Sequence, residues 1–434
     1  MCSVSDSSVE SALEQKKFKF SLMRWIQRFL YVNGNLKYKQ DLFRCNRMSL
    51  GATVNLMRNE ETKSAAFDGV VTCGNVWLCP VCSTKIARVR HEEVSKAVSD
   101  FHSASSNNLT AMLTLTFSHS SKDSLKSLLA LHASASAFFW RSWSVRRIFD
   151  DLGLTGRISN YEITCSEING WHPHKHVLLF LENSSADKLM IAQSQLLICW
   201  LNALHHVGLT GNEHALKLDF FRGTTDYLTK LASEMTLSHV KRGRGVFSHY
   251  APFQLADLAR NKVAWARSRF LEYALCIKGR SQLHWSRGLK ARFGIIDKSD
   301  EDVSASVEPS YLKYLTIVGK DYIKLFRHRD LRVLLLDAVA KDDSKKVLSI
   351  LSLAGVRTVG YFGSSMSADS RYWGRLCPEE DLISACCPLL SHYRFGRVSR
   401  DVDRFIIFDD NWKKFNGLLT AQRDFRYYGG WRDV

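Results

Sequence analysis

Residues 170–180 read GWHPHKHVLLF, with histidines at 172, 174 and 176. In an extended chain, residues i and i+2 share a face. His174 and His176 therefore project to one side, where their ring nitrogens can meet one metal ion. His172 continues the row, although Pro173 is expected to end the regular strand. Glu162 and Glu167 lie just upstream. Asn169-Gly170 is a hairpin-turn signal. A two-residue turn there would pair Glu167 with His172 and Cys165 with His174, placing Glu167 on the histidine face and Glu162 off it. A bulge or longer loop would shift the register and bring in Glu162 instead. A lone histidine is more often a satisfied core residue; three at alternate positions beside glutamates favour metal. Two imidazoles and a carboxylate suit Mn²⁺, Mg²⁺ or Zn²⁺, and spacing alone does not choose among them.

A metal with open positions acts as a Lewis acid on a phosphate and orients it for in-line attack. That chemistry needs a nucleophile. Residues 224–235, TTDYLTKLASEM, have helical spacing and offer Tyr227, with Lys230 one turn later. A tyrosine hydroxyl attacking phosphorus forms a phosphotyrosine ester and splits one hard reaction into two steps. A helical tyrosine is usually core or surface; Tyr227 gains weight from its place downstream of the histidines.

A second cluster is built from cysteine. VTCGNVWLCPVC places Cys73, Cys79 and Cys82 close together, and Cys45 lies upstream. Four thiolates in this grouping suit a structural Zn²⁺. The alternatives are buried, unmetallated thiols or a redox CxxC, and no thioredoxin-like βαβ pattern surrounds this one. Eleven cysteines, an odd number, do not suggest a secreted disulfide framework.

These groups need elements to position them. LTAMLTLTF (109–117) reads as a buried strand, 123–150 as helical, 158–182 as the hairpin, 185–209 as a long amphipathic helix and 215–221 as a short strand. The order β–α–ββ–α–β–α predicts an α+β fold, an antiparallel central sheet with flanking helices. A length of 434 residues with 45% hydrophobic content allows two or three domains. We expect a variable arm over 1–44, a cysteine-rich zinc-binding element over 45–100, a catalytic domain with a basic helical extension over 101–296, and a C-terminal α/β region of unassigned role over 297–434. The acidic run DKSDED (297–302) marks the last boundary.

The formal net charge is +17, which points to a polyanionic partner, with nucleic acid ahead of a membrane surface. Lys241, Arg242 and Arg244 form a basic loop. Arg260, Lys262, Arg267, Arg269, Lys278, Arg280, Arg287, Lys290 and Arg292 follow, interleaved with Trp265, Tyr273 and Trp285. Cations would neutralise phosphates and aromatic rings would stack on unpaired bases; the plain alternative is a solvated helix face over core aromatics. No run of about 18 apolar residues exists, and the first residues have no basic-then-apolar signal pattern. The expectation is a cytoplasmic protein without a membrane partner.

Taken together, these residues resemble the replication initiators of rolling-circle plasmids, the single-tyrosine Rep family of the HUH endonuclease superfamily. The resemblance runs from about Cys45 to Phe293. LTLTF (113–117) resembles the family's first motif, NGWHPHKHVLL (169–179) its second and YLTK (227–230) its third. It implies His174 and His176 as metal ligands, Tyr227 as nucleophile and Lys230 as its basic companion. EIT (162–164) resembles the Glu-x-Thr before the second motif, whereas Glu167 fits the spacing of the third ligand more widely in the superfamily. The CPxC knuckle and a downstream block (PFQLAD, 252–257; GRSQLHWSRGLKARFG, 279–294) are also similar. Two departures stand out. Lys175 replaces the usual apolar residue between the histidines and should point to the other sheet face. Gly223 occupies the position of a terminating glutamate base, for which Asp226 and Glu234 are the nearby substitutes. The resemblance implies an origin-nicking enzyme using Mn²⁺ or Mg²⁺, with structural Zn²⁺ in addition. It would act on origin DNA held single-stranded at the nick, leaving a 5′-phosphotyrosyl link and a free 3′-OH. A host polymerase and helicase would be partners. The alternatives are a conjugative relaxase or HUH transposase and, in another class, a non-catalytic zinc-containing DNA-binding regulator.

Overall fold

The computed structural model describes residues 6–221, 249–327 and 330–361, with two short strands at 394–395 and 407–408. The described residues form two larger antiparallel sheets with helices packed on them, and the strands at 394–395 and 407–408 pair with each other. The first has five strands: β3 (Leu109–Leu115), β4 (Leu154–Ser166), β5 (Gly170–Leu181), β6 (Leu216–Phe221) and β7 (Leu283–Trp285), in the order β6-β3-β5-β4-β7. Four of these are the predicted strands. The fifth, β7, interrupts a stretch expected to be helical, and it pairs with β4 from Ile158 to Asn160.

One face of this sheet is apolar except around Arg157, Ser159 and Lys175. Leu113, Leu115, Val177, Leu179, Ile163 and Leu218 pack against α4 (Leu125–Arg141), α5 (Trp143–Asp151), α6 (Ala186–His206), α7 (Pro252–Arg260) and α8 (Ala264–Cys276). Each fully buried Leu or Phe contributes roughly 1.5–3 kcal/mol of transfer free energy. The other face divides in two. Met112, Ile158, Leu178 and Phe180 are covered by Val94, Val98 and Phe101 of α3 (Pro80–Ala104) and by Phe293. Beyond them the same face carries the histidines.

The second sheet follows the order β2-β1-β8-β9, from β1 (Thr53–Asn59), β2 (Ser64–Asp68), β8 (Leu312–Val318) and β9 (Thr358–Tyr361). It joins residues from both sides of the expected boundary at 297, so the segments 45–100 and 297–434 do not fold as separate units. The acidic run that suggested a linker is structural: Asp300 accepts from Arg90 of α3 at 2.8 Å. The supposed N-terminal arm is likewise part of the core. α1 (Asp6–Val32) buries Leu22, Met23, Ile26, Phe29 and Leu30, one helical stripe, and Gln27 donates to the backbone oxygens of Leu42 and Cys45 at 2.9 and 3.0 Å.

His132 on α4 is fully buried between Phe117, Tyr161 and Trp200, and neither ring nitrogen has a hydrogen-bond partner among the described residues. Burial, followed by the charge of Lys175, pushes its pKa down to about 3 from the ordinary 6.5. The folded value lies below the unfolded one, so this contribution to stability is fully present above about pH 6.5 and is lost as pH falls towards 3. From this group wild type should lose up to about 1.4 kcal/mol per pH unit across that window. His132→Leu should remove that acid sensitivity at little cost near pH 7. Chemical denaturation of both proteins at several pH values measures the difference.

Candidate active site and cysteine cluster

The β4–β5 hairpin sets the site. Ser166 pairs with Gly170, so the turn holds three residues, Glu167, Ile168 and Asn169. The register differs from that of a two-residue turn by an odd number, which moves every side chain of β4 to the opposite face. Glu162 now stands across from His174, Thr164 from His172 and Asn160 from His176. Glu167, expected on the histidine face, is exposed in the turn. Gly170 makes the turn possible: its φ is +73°, and a Cβ there would lie 2.8 Å from Ser121 Cα. Pro173 does not end β5; it pairs with Ile163. β3 pairs with β5 only as far as Lys175, so one side of Pro173 is open and its missing N–H is tolerated.

His176 Nε2 lies 2.9 Å from Glu162 Oε2, and Thr114 Oγ1 on β3 lies 3.1 Å from His176 Nδ1. The threonine orients the ring and leaves Nε2 facing the carboxylate. The rings of His174 and His176 are 6.1 Å apart and those of His172 and His174 are 4.0 Å apart. Burial is the main cause that lowers the pKa of His172 to about 3 and of His174 to about 4. Both imidazoles are neutral near pH 7, the form that donates a lone pair. His174 Nδ1 is buried and has no hydrogen-bond partner among the described residues. Glu162, His174 and His176 share one face, and a carboxylate with two imidazoles is the donor chemistry that divalent ions take.

Two histidines join the cluster that sequence reasoning missed. His119 Nε2 contacts His172 Nδ1, and the His249 ring lies 5.2 Å from that of His172. His119 follows two residues after the LTLTF strand, but nothing in its spacing marks it. His249 is placed by a bridge in which the backbones of Tyr250 and Cys165 exchange hydrogen bonds of 2.8 and 3.0 Å. Below the cluster, Glu272 of α8 accepts from Trp171 Nε1 at 2.8 Å and from the Leu125 backbone N–H at 2.7 Å, tying β5 to the start of α4.

Lys175 points to the opposite face, as expected, and donates to Ser136 Oγ at 2.9 Å. Burial, then Arg157, lowers its pKa to about 8. Tyr227, Lys230, Glu234, Lys241, Arg242 and Arg244 lie outside the described residues, as does Asp226. Several residues expected to meet phosphate are engaged internally. Arg260 pairs with Asp257 at 2.6 Å, Arg269 with Glu272 at 3.0 Å, Lys290 with Asp297 at 2.7 Å and Arg292 with Glu182 at 2.5 Å. Tyr273 is core, stacked on Trp171. Lys262, Arg267, Lys278 and Arg287 are exposed, and Arg280 is half-buried, its Nε donating to Cys276 O at 3.4 Å.

The cysteine grouping closes in space. The sulfurs of Cys45, Cys73, Cys79 and Cys82 all lie within 4.8 Å of one another. The separations Cys45–Cys82, Cys73–Cys82 and Cys45–Cys79 are 3.5, 3.7 and 3.8 Å. A tetrahedron with Zn–S bonds of about 2.3 Å has edges of about 3.8 Å. Cys79 caps α3, accepting from the Cys82 N–H at 3.5 Å, with Pro80 in the first turn. Hydrogen bonds from Cys45, Cys73 and Cys79 hold Cys82 well below the usual thiol pKa, whereas Cys79 and Cys73 are pushed up, with the bond to Cys45 the first cause for each. The Cys45 loop is pinned by Tyr322 and Arg332, which both donate to Asn46 O. Gly74 lets the Cys73 loop approach α10 (Asp300–Ala305), where a Cβ would meet the Glu301 backbone at 2.9 Å.

Residues 66–207 match a family model described as replication protein. The similarity is to replication proteins. The matched span holds Glu162, His174, His176, Cys73, Cys79 and Cys82. A curated relative from Streptomyces lividans, named Protein rep, is 26% identical over 298 residues, covering 52% of this chain and 64% of the relative. A neomycin resistance protein of Streptomyces cyanogenus is 28% identical over 148 residues, covering 28% of this chain and 33% of the relative. The chain thus spans less than two thirds of either. No solved structure matches. No helix among the described residues is long and apolar enough to cross a membrane.

Gly170→Val should cost about 1–2 kcal/mol from the left-handed backbone alone, and more from the contact with Ser121. Because the turn fixes the register, the variant should also lose divalent-ion binding beyond its loss in melting temperature. Thermal unfolding with and without Mn²⁺ tests this.

Proposed function

We propose that the chain initiates plasmid replication by the rolling-circle route, as a single-tyrosine HUH enzyme that nicks one strand at the origin. The observation that carries the reading is the hairpin register, which puts Glu162 across from His174 and within hydrogen-bond reach of His176. The similarity to replication proteins over residues 66–207 supports it, as does the net charge of +17.

A divalent ion, Mn²⁺ or Mg²⁺, held by His174, His176 and Glu162 would polarise the scissile phosphate as a Lewis acid. Thr114 holds the His176 ring, and neutral His174 presents its nitrogen without competing protonation. Tyr227 is the proposed nucleophile: its oxygen bonds to phosphorus, the bond to the 3′ oxygen breaks, and a 5′-phosphotyrosyl ester and a free 3′-OH result. Lys230 supports the phosphate charge, and Glu234 or Asp226 takes the role of base in the terminating step. Lys241, Arg242, Arg244, Arg280 and Arg287 are the proposed DNA contacts. Cys45, Cys73, Cys79 and Cys82 hold a structural Zn²⁺. A host polymerase extends the 3′-OH and a helicase opens the duplex; both are partners in this reading.

With Mn²⁺ and supercoiled origin plasmid, wild type should give nicked circles and a protein–DNA adduct that survives denaturation. Tyr227→Phe should give neither, and an adduct formed by this variant would remove Tyr227 from the mechanism. Thr114→Val should raise the Mn²⁺ concentration for half-maximal nicking by about 10–100-fold while sparing the rate at saturation. The non-catalytic regulator predicts no adduct from any variant.

The purified protein should contain about one zinc per chain. Cys79→Ser should release it and lower the melting temperature, measured by elemental analysis and scanning calorimetry. Zinc-free wild type with an unchanged melting temperature would remove this assignment.

A further inference from the structure

The sheet face opposite the histidines carries a small polar pocket of about 150 Å³. Arg157, Ser159 and Lys175 line it from β4 and β5, with His284 and Trp285 from β7 and Trp140 from α4. Arg157 and Lys175 are both half-buried. The Arg157 guanidinium lies 3.9 Å over the Trp140 ring, and Lys175 Nζ donates to the neutral Ser136 hydroxyl at 2.9 Å and lies 5.6 Å from the centre of the Tyr161 ring. Among the described residues, no carboxylate pairs with either cation. That sets them apart from Arg260, Arg269, Lys290 and Arg292, each held by an acid.

Two like charges drawn partly out of water beside each other are unfavourable unless an anion completes the set. A planar guanidinium stacked on an indole and an ammonium at the end of a flexible stem suit a phosphate oxygen pair. The pocket is not closed at its outer end. His284 and Trp285 also line a neighbouring cavity of about 900 Å³, which contains Lys278 and Arg280. The acids of that cavity are partly committed, Asp297 to Lys290 and Asp300 to Arg90. A ligand whose phosphate sits between Arg157 and Lys175 can therefore continue past Trp285 along further cations.

We propose that Arg157 and Lys175 hold a phosphodiester group of a single-stranded nucleic acid whose next residues run over Trp285 into the larger cavity. Trp140 is occupied by Arg157 and by the stacked Phe149 ring, so Trp285 is the aromatic face for an unpaired base. The proposal does not depend on Tyr227 or on any cleavage step, and binding without added divalent ion tests it separately from the nicking assay.

The probe is a fluorescein-labelled oligo-dT of about 12 nucleotides, titrated with the full chain at several salt concentrations. Lys175→Gln and Arg157→Gln should each weaken binding by about tenfold or more. Each should also reduce the slope of log affinity against log salt by about 0.7, the value for one single-strand phosphate. Ser159→Asp places a carboxylate two residues from Arg157 on the same face. It should weaken oligo-dT binding to a similar degree while raising the melting temperature, an outcome that a merely damaged fold would not produce. Unchanged affinity and slope in all three variants would overturn the proposal. Displacement of the oligomer by dTMP or inorganic phosphate at concentrations close to the oligomer's own dissociation constant would overturn the strand and assign the pocket to a free phosphate ligand.

Discussion

The site depends on one pairing, Glu162 opposite His174 across the β4–β5 hairpin. A strand has two faces, so a shift by an odd number of residues would send the carboxylate to the wrong side and leave the imidazoles facing Cys165 and Ile163. The three-residue turn, the left-handed Gly170 and the contact with Ser121 hold that register from the tip. Trp171, buried and bonded to Glu272, holds it from the apolar face. The chemistry of the histidines thus rests on a glycine, a tryptophan and a distant glutamate, none of which needs to touch a substrate.

Much of this was legible in the sequence because the signals are local. Alternating histidines, an Asn-Gly turn and Leu/Thr-rich strands each depend on neighbours a few residues away, and β3 to β6 lie where the periodicity put them. The choice between Glu162 and Glu167 turned on one turn residue, which composition does not resolve. His119 and His249 entered through tertiary contact alone. β7 was hidden because three residues cannot display a period, and the stretch around it reads as basic helix. α1 looked like an arm because its polar start hides the apolar stripe behind it. The joining of 53–68 to 312–318 left no local mark at all.

The same distinction explains the basic residues. Clustered arginines and lysines between 260 and 292 suggested a uniform phosphate-binding face. Folding divides them into those paired with an acid, within their own helix through Asp257 and Glu272 or beyond it through Glu182 and Asp297, and those left without one among the described residues. Charge along a sequence measures the total, whereas charge available to a ligand depends on which acids fold beside it.

The second sheet has a consequence for biosynthesis. β1 has its partner in β8, and Asn59 bonds to Ser310 across 251 residues of chain. The loop bearing Cys45 waits for Tyr322 and Arg332. On the ribosome, the first strands and thiols emerge long before the segments that bury them, so an early-terminated product would expose β1 and reactive sulfur together. Completion of the chain past residue 332 is therefore the event that closes the amino-terminal half, and synthesis itself times when a finished molecule first exists.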